Sequence, residues 1–364
     1  MNLRFRPVVI PKPSSLALGV VCGIAALSAA ALVNRYLAKK AERDNPPRGR
    51  FVHVDGVKLH YLDQGTGEPL ILLHGNGSMI QDFQSSGLIA MASKKYRVIA
   101  FDRPGFGHSL RPRGTIWTPS TQADLVHRAL SQLGIERAYV LGHSWGASVA
   151  VALASKYPGS VAGLILASGY YYPTLRSDVF LLSGPAFPVV GDILSYTVAP
   201  ILSRLLWPVF MRQVFGPAPM PDKFREFPKE MAHRPSQIRA SAAETALMVP
   251  SALQQRAMYR GIKMPTVIIA GEQDRLIDIE EQSARLHRDV KQSMLLRLVG
   301  VGHMVHQTAT ARVMEAIDAA MSSLVISEHG VDGAADERAS IRGEVATKIG
   351  SERSTALAEA READ

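Results

Sequence analysis

Cysteine is nearly missing from this chain: Cys22 is the single one among 364 residues. An intrachain disulfide and a cysteine-based metal centre are therefore excluded, and cysteine usage says nothing of the redox compartment. Zinc-ligand spacing, nucleic-acid-binding motifs and internal repeats are also lacking, so no metal, organic cofactor or nucleic-acid partner is expected. Acidic residues are scarce at the start. Residues 1–50 hold nine Lys/Arg against Glu42 and Asp44, a local charge of +7 within a total of +9. Residues 326–364 are instead acidic, at −4, which leaves the middle of the chain near +6. A basic terminus beside an apolar run suggests membrane contact before nucleic acid.

That run is residues 16–33 (LALGVVCGIAALSAAALV), eighteen residues without a charge. As a helix it would be about 27 Å long, close to the roughly 30 Å hydrocarbon core of a bilayer. Arg4, Arg6 and Lys12 precede it; Arg35, Lys39, Lys40 and Arg43 follow. A secretory signal has a shorter apolar region, although Ser28-Ala29-Ala30-Ala31 offers small residues for cleavage. Length and the basic cluster behind the run favour an uncleaved single-pass anchor in the lipid bilayer; secretion after signal cleavage is the alternative. Basic residues on both flanks leave the side of the membrane open. The reading thus divides the N-terminal part into a basic segment (1–15), a transmembrane helix (16–33) and a linker (34–50) containing Asn45-Pro46-Pro47.

From residue 51 the chain has the length and the 47% hydrophobic content to bury one large core. Asp55-Gly56 between two alternating runs signals a tight hairpin, hence an antiparallel start. Residues 69–73 (PLILL) form an apolar strand of the kind buried on both faces of a parallel sheet. Strands at 96–101, 137–141, 161–167, 266–270 and 293–299 follow, alternating with helical stretches such as 118–133 and 146–157. That rhythm defines a mostly parallel α/β sheet with helices on both faces. It breaks between 170 and 262, a stretch rich in proline and large apolar residues that reads as a helical cap insertion. A last amphipathic helix covers about 308–324, and 326–364 is polar and reads as a disordered tail.

The residues with chemical potential lie where strands end. Gly142-His143-Ser144-Trp145-Gly146 stands between a strand and a helix, the G-x-S-x-G elbow that exposes a serine hydroxyl. A serine is a weak nucleophile until a base takes its proton, and the base works best when a third group orients it. Asp274 after the penultimate strand and His303 after the last would fill those roles, with Asp278 and His306 as weaker substitutes. In a parallel sheet such loops open on one edge, so residues 130 apart in sequence can meet there. The oxyanion of an acyl-transfer intermediate needs backbone donors. Trp145 N–H, at a helix start, and Asn76 N–H, between Gly75 and Gly77, are the candidates.

With His74-Gly75-Asn76-Gly77, the loop 102–109 (DRPGFGHS), the elbow, Asp274 and Gly302-His303 in this order, the chain resembles the α/β-hydrolase fold family. The likeness is greatest to the bacterial esterase, cofactor-free haloperoxidase and carbon–carbon-bond hydrolase branch with a helical cap, and it covers about 51–325. The resemblance implies an eight-stranded, mostly parallel sheet, a Ser144–Asp274–His303 triad and an oxyanion hole from Asn76 and Trp145. Dehalogenases and most epoxide hydrolases of this fold use aspartate as nucleophile, which Ser144 argues against. The expected function is a membrane-anchored serine hydrolase acting on an ester-type bond of a hydrophobic small molecule. Carbon–carbon hydrolysis, amidase, acyl-transfer or haloperoxidase-like chemistry on the same triad is the alternative, and a non-catalytic ligand-binding protein the third reading. His74, His143, His108, Asp102 and Arg103 read as residues that shape loops. Tyr170–Tyr172, Trp207 and Phe210 read equally as packing, substrate contact or lipid contact.

Overall fold

The computed structural model describes residues 15–174, 183–187 and 189–329. The basic segment, save Ser15, and the tail beyond His329 fall outside the described residues. Eight strands form one sheet: β1 (Arg50–Val54), β2 (Val57–Gln64), β3 (Pro69–Leu73), β4 (Arg97–Phe101), β5 (Ala138–His143), β6 (Val161–Ala167), β7 (Thr266–Gly271) and β8 (Ser293–Leu298). Their order is β1-β2-β4-β3-β5-β6-β7-β8. β1, β2 and β4 pair antiparallel, and all pairs from β4–β3 to β7–β8 are parallel. The opening hairpin follows from Asp55 (φ 48°) and Gly56 (φ 76°), both left-handed, as a two-residue turn matched to strand twist requires.

Register decides where the site is. Leu73 pairs with Gly142, His143 with Ala167, Ala167 with Ile269, and Gly271 with Leu298. The carboxyl ends of five parallel strands are thus level, and the loops that follow them share one edge. Alternate residues of each strand serve opposite faces. Ile71, Leu73, Ile99, Phe101 and Val140 belong to one buried cluster, and Leu70, Leu72, Val98, Ala100 and Leu141 to the other.

The longer helices are α1 (Ser15–Asp44), α2 (Pro119–Gln132), α3 (Trp145–Lys156), α4 (Val190–Tyr196), α5 (Val198–Phe215), α6 (Pro235–Gln255) and α7 (Thr310–His329). α2 starts where expected, because Thr118 Oγ1 accepts the Thr121 N–H at 3.1 Å and Pro119 needs no acceptor. Buried residues of α2 and α3 pack on one face of the sheet and those of α7 on the other. Helices α4, α5 and α6 lie in the insertion between β6 and β7.

One boundary needs correction. The expected linker from residue 34 is helix as far as Asp44, so α1 runs unbroken through the apolar run and the basic cluster. The cause is tertiary. Asn34 and Ala41 are buried and Ala30, Ala31, Leu37 and Ala38 half-buried, a stripe at helical spacing. Asn34 Nδ2 donates to Tyr196 O (3.0 Å) and Thr197 O (2.8 Å), and Arg234 Nη1 pairs with Glu42 at 2.7 Å. Only residues 45–49 remain between α1 and β1.

Candidate active site

Ser144 follows β5 and precedes α3 with φ 53° and ψ −118°. A non-glycine residue there costs on the order of 1–3 kcal/mol and persists only when its surroundings fix it. They do: Ser144 N–H donates to Ala167 O at 2.9 Å and Ser144 O accepts the Ala147 N–H at 3.0 Å. The elbow glycines are needed for close approach. A Cβ on Gly146 would strike the carbonyl oxygens of Leu73 and His74, and one on Gly142 would lie 2.6 Å from Ala147 Cα and against the carbonyl of Gly146.

His303 Nδ1 lies 2.7 Å from Asp274 Oδ2, with side chains 6% and 2% exposed. Asp274 Oδ1 accepts the N–H groups of Leu276 (2.8 Å) and Ile277 (3.0 Å), which orients the carboxylate. Donation from Nδ1 leaves Nε2 of a neutral imidazole as the basic nitrogen. The main chain of His303 is also held on both sides. Its N–H donates to Val214 O at the end of α5 (3.1 Å), and its carbonyl lies 3.1 Å from His143 Nε2. Ser144 Oγ makes no hydrogen bond to His303 among the described residues; His143, beside Ser144 in the chain, carries its ring 5.0 Å from that of His303.

The substitutes stand elsewhere. Asp278 Oδ1 accepts the Glu281 N–H at 2.9 Å and caps an exposed turn. His306 Nε2 lies 2.9 Å from Asp82 Oδ1, both fully buried. Burial alone would push the Asp82 carboxyl up, but His306 and then His143 bring it well below the usual carboxylate range. Asp82, His143 and His306 place potential ligand atoms within 4.8 Å of one another, the spacing a metal ion would need. Asp82 is already engaged by Ser78 Oγ (2.8 Å) and Gln307 Nε2 (2.8 Å) as well as His306. Burial, reinforced by His306 and His303, holds the His143 pKa far below its ordinary value. A neutral His143 beside the His303 carbonyl carries its proton on Nε2.

The loop after β3 lies over the elbow. A Cβ on Gly75 would sit 3.2 Å from Ser144 Cβ and 3.0 Å from His143 Nδ1. Next to it, Asn76 Nδ2 donates to Ser241 O (3.2 Å) and Thr245 Oγ1 (3.0 Å) on α6. Trp145 opens α3, where an amide has no acceptor one turn back. His74 Nε2 accepts the Arg103 N–H at 3.0 Å and its Nδ1 faces Gly75 O at 2.8 Å. Burial, then the Arg103 cation, lowers its pKa to about 3.

Sequence reasoning missed the link between this loop and the cap. Arg103 donates from Nε to His74 O (2.7 Å), from Nη2 to Gly75 O (2.8 Å) and from both Nη atoms to buried Glu244 of α6. Glu244 is the sole acid in its helix and stands between Ala243 and Thr245 in a run of small residues, a faint signal that its charge is paired. Tyr170–Tyr172 belong to the packing. Tyr171 and Tyr172 are buried and their N–H groups share Gln282 Oε1 at 2.7 and 2.8 Å. Trp207 stacks on Phe227 at 6.3 Å, whereas Phe210 faces outward at 45% exposure.

A parallel sheet with an antiparallel start, a strained serine elbow and strand-end loops carrying an Asp–His pair define an α/β-fold hydrolase. The family model for the alpha/beta hydrolase fold matches residues 68–310, and the chain belongs to that family. It is 29% identical over 284 residues to haloalkane dehalogenase 2 of Mycobacterium tuberculosis, covering 75% of this chain and 94% of that one. It is 27% identical over 252 residues to 2-hydroxymuconate semialdehyde hydrolase of a Pseudomonas species, covering 66% and 82%. Among solved structures, a bacterial membrane phospholipase A shares the fold at a TM-score of 0.59 and 22% identity, over 85% of this chain and 96% of that one. Cfl2 of Burkholderia cenocepacia does so at 0.61 and 24%, over 74% and 94%.

Proposed function

We propose that the protein is a membrane-anchored serine hydrolase that cleaves an ester-type bond of a hydrophobic small molecule through an acyl-enzyme. The observation that carries this reading is the Asp274–His303 hydrogen bond at 2.7 Å on the strand-end edge that also holds the strained Ser144. In the reaction, His303 Nε2 takes the Ser144 proton as Oγ attacks the carbonyl carbon. The amides of Asn76 and Trp145 receive the developing oxyanion. Collapse of the intermediate expels the alcohol with the proton from His303, and water then repeats the sequence on the acyl-enzyme.

Serine also decides between the relatives. Displacement of a halide by Ser144 Oγ would leave an alkyl ether, which has no carbonyl for water to attack, so a dehalogenase cycle could not close. Hydrolysis of a carbon–carbon bond, as the semialdehyde hydrolase's name describes, remains compatible with the same groups and is the second reading. A panel of short- and long-chain p-nitrophenyl esters, a ring-fission product and a fluorophosphonate probe tests both. Ester turnover and probe labelling are expected, with kcat falling by on the order of 10⁴-fold or more in Ser144→Ala. Turnover of the ring-fission product alone would favour the second reading, and turnover independent of Ser144 would overturn both.

The anchor reading rests on α1, which has length and hydropathy for a span over Leu18–Asp44. A signal sequence passes that test too. Against cleavage stands the helix itself, which continues through Ser28-Ala29-Ala30-Ala31 and ends docked on the cap. The mass of the protein recovered from membranes decides: loss of the first thirty or so residues would establish a signal.

A further inference from the structure

The cap helices are built inside out. In a helix bathed by water, apolar residues face the protein and polar ones the solvent. On α5 the reverse holds for much of its length. Toward the protein, Ser203 Oγ lies 2.8 Å from His233 Nδ1, and Arg204 pairs with Glu230 at 3.0 Å and donates to Asn34 Oδ1 at 3.2 Å. Outward stand Ile201, Leu202, Leu205, Leu206, Val209 and Phe210, with Leu205 69% exposed. α4 adds Val190 and Ile193, and the two helices meet at a 57° bend. Exposed single leucines need no explanation, but a continuous hydrocarbon face on one side of two helices does.

The position of α1 says what covers that face. Its apolar run ends at Val33, and the next residue, Asn34, is the one hydrogen-bonded to Tyr196 and Thr197 at the α4–α5 break. The end of the lipid-length segment and the apolar face of the cap are therefore adjacent and fixed to each other. Leu32 and Val33, 69% and 55% exposed, continue the same character. Exposed Arg35, Lys39 and Arg212 supply cations suited to anionic headgroups.

We propose that α4 and α5 form a second membrane contact, their outer face lying in the interfacial layer of the bilayer from which α1 emerges. This rests on the anchor reading above. The helices lie on the membrane and do not cross it, because their other face is committed to the protein: Pro200, Met211, Val214 and Phe215 are buried. The contact has a route to the chemistry. The last turn of the helix that carries the lipid face includes Val214, whose carbonyl accepts the His303 N–H.

Site-directed spin labelling of the full chain in phosphatidylcholine–phosphatidylglycerol vesicles tests the proposal. A nitroxide on native Cys22 reports the anchor. In a Cys22→Ser background, labels at Leu206→Cys and Ile193→Cys report the cap face, and Glu136→Cys, at the opposite sheet edge, reports water. Collisions with oxygen should exceed those with a nickel chelate at 22, 206 and 193, with the reverse at 136. Nickel-accessible 206 and 193 with a lipid-buried 22 would overturn the contact and leave the anchor. Nickel accessibility at all three would overturn both. Exclusion of both reagents at 206, with dipolar broadening between molecules, would mean that a second copy covers the face and would overturn the lipid assignment. Fluorophosphonate labelling of each variant shows that the fold is retained, and its failure in the unmodified protein would count against the hydrolase reading alone.

Discussion

Two buried Asp–His pairs flank His143, and their contrast separates the pair proposed to act on substrate from one enclosed in the interior. Asp274–His303 and Asp82–His306 have nearly equal spacings, 2.7 and 2.9 Å. They differ in what surrounds them. Asp274 takes two backbone amides and lies on the loop after β7; His303 follows β8 and retains slight exposure, so its ring borders the edge where substrate would enter. Asp82 is tied to Ser78 and Gln307, and the fully buried His306 ring packs against Phe83 at 5.2 Å and His143 at 4.4 Å. In the proposed mechanism the first pair moves a proton, and the second supports it through His143, whose Nε2 lies 3.1 Å from the His303 carbonyl. Spacing alone does not mark a catalytic dyad: His60–Asp102 also measures 2.7 Å and is equally buried.

Breaking the two pairs should therefore read out differently. Asp274→Asn keeps the shape but removes the charge that fixes the His303 tautomer, and kcat should fall by roughly 10⁴-fold while the urea midpoint moves little. An ester assay and a urea titration on the same sample check it. Asp82→Ala should do the opposite. Loss of one member of a buried pair costs roughly 3–5 kcal/mol, seen as a lower urea midpoint. The fluorophosphonate labelling rate per folded molecule should fall far less than in Asp274→Asn. Equal rate losses in both variants would erase the distinction.

The supporting histidines also make stability depend on pH, with a definite sign. His74 is held at about 3 by burial and Arg103, and His143 well below its ordinary value by burial. An unfolded chain binds protons at both positions near pH 6.5 and the folded one does not. The stabilisation of the neutral form is complete only above that pH, and stability falls as pH drops from about 6.5 toward the folded values. Between pH 7 and pH 5 His74 should cost about 2 kcal/mol, read from urea midpoints, and His143 should add to the loss in the same direction. His74→Gln should flatten part of that slope.

Much of the fold was legible in the sequence because runs such as 69–73 are too short and too apolar to be anything but buried strands. The loops that carry Asn76, Ser144, Asp274 and His303 were legible for the same reason: parallel strands deliver them to one edge. What could not be read is what depends on distant partners. Residues 34–44 are polar enough to resemble a linker, and distant partners such as Tyr196, Thr197, Arg204 and Arg234 make them a docked helix. Arg103 and Glu244 stand 141 residues apart, and no periodicity announces their pairing. The large apolar residues of 201–210 were visible in the sequence without saying which way they turned, since lipid and protein interior ask for the same residues.

The smallest effect tests the sharpest sequence-level choice, Asp274 against Asp278. Both follow β7 and both carboxylates accept backbone N–H groups a few residues ahead. They differ in where the second oxygen points: Asp274 Oδ2 lies 2.7 Å from His303 Nδ1, and Asp278 has no imidazole partner among the described residues. Asp278 spends its Oδ1 on the first turn of the following helical segment, in the manner of an N-cap, and is exposed. Asp278→Ala should therefore cost about 1 kcal/mol of stability and leave ester kcat unchanged. A kcat loss approaching that of Asp274→Asn would mean that His303 turns to Asp278 when substrate binds, and the contrast between the working and structural pairs would have to be redrawn around mobile loops.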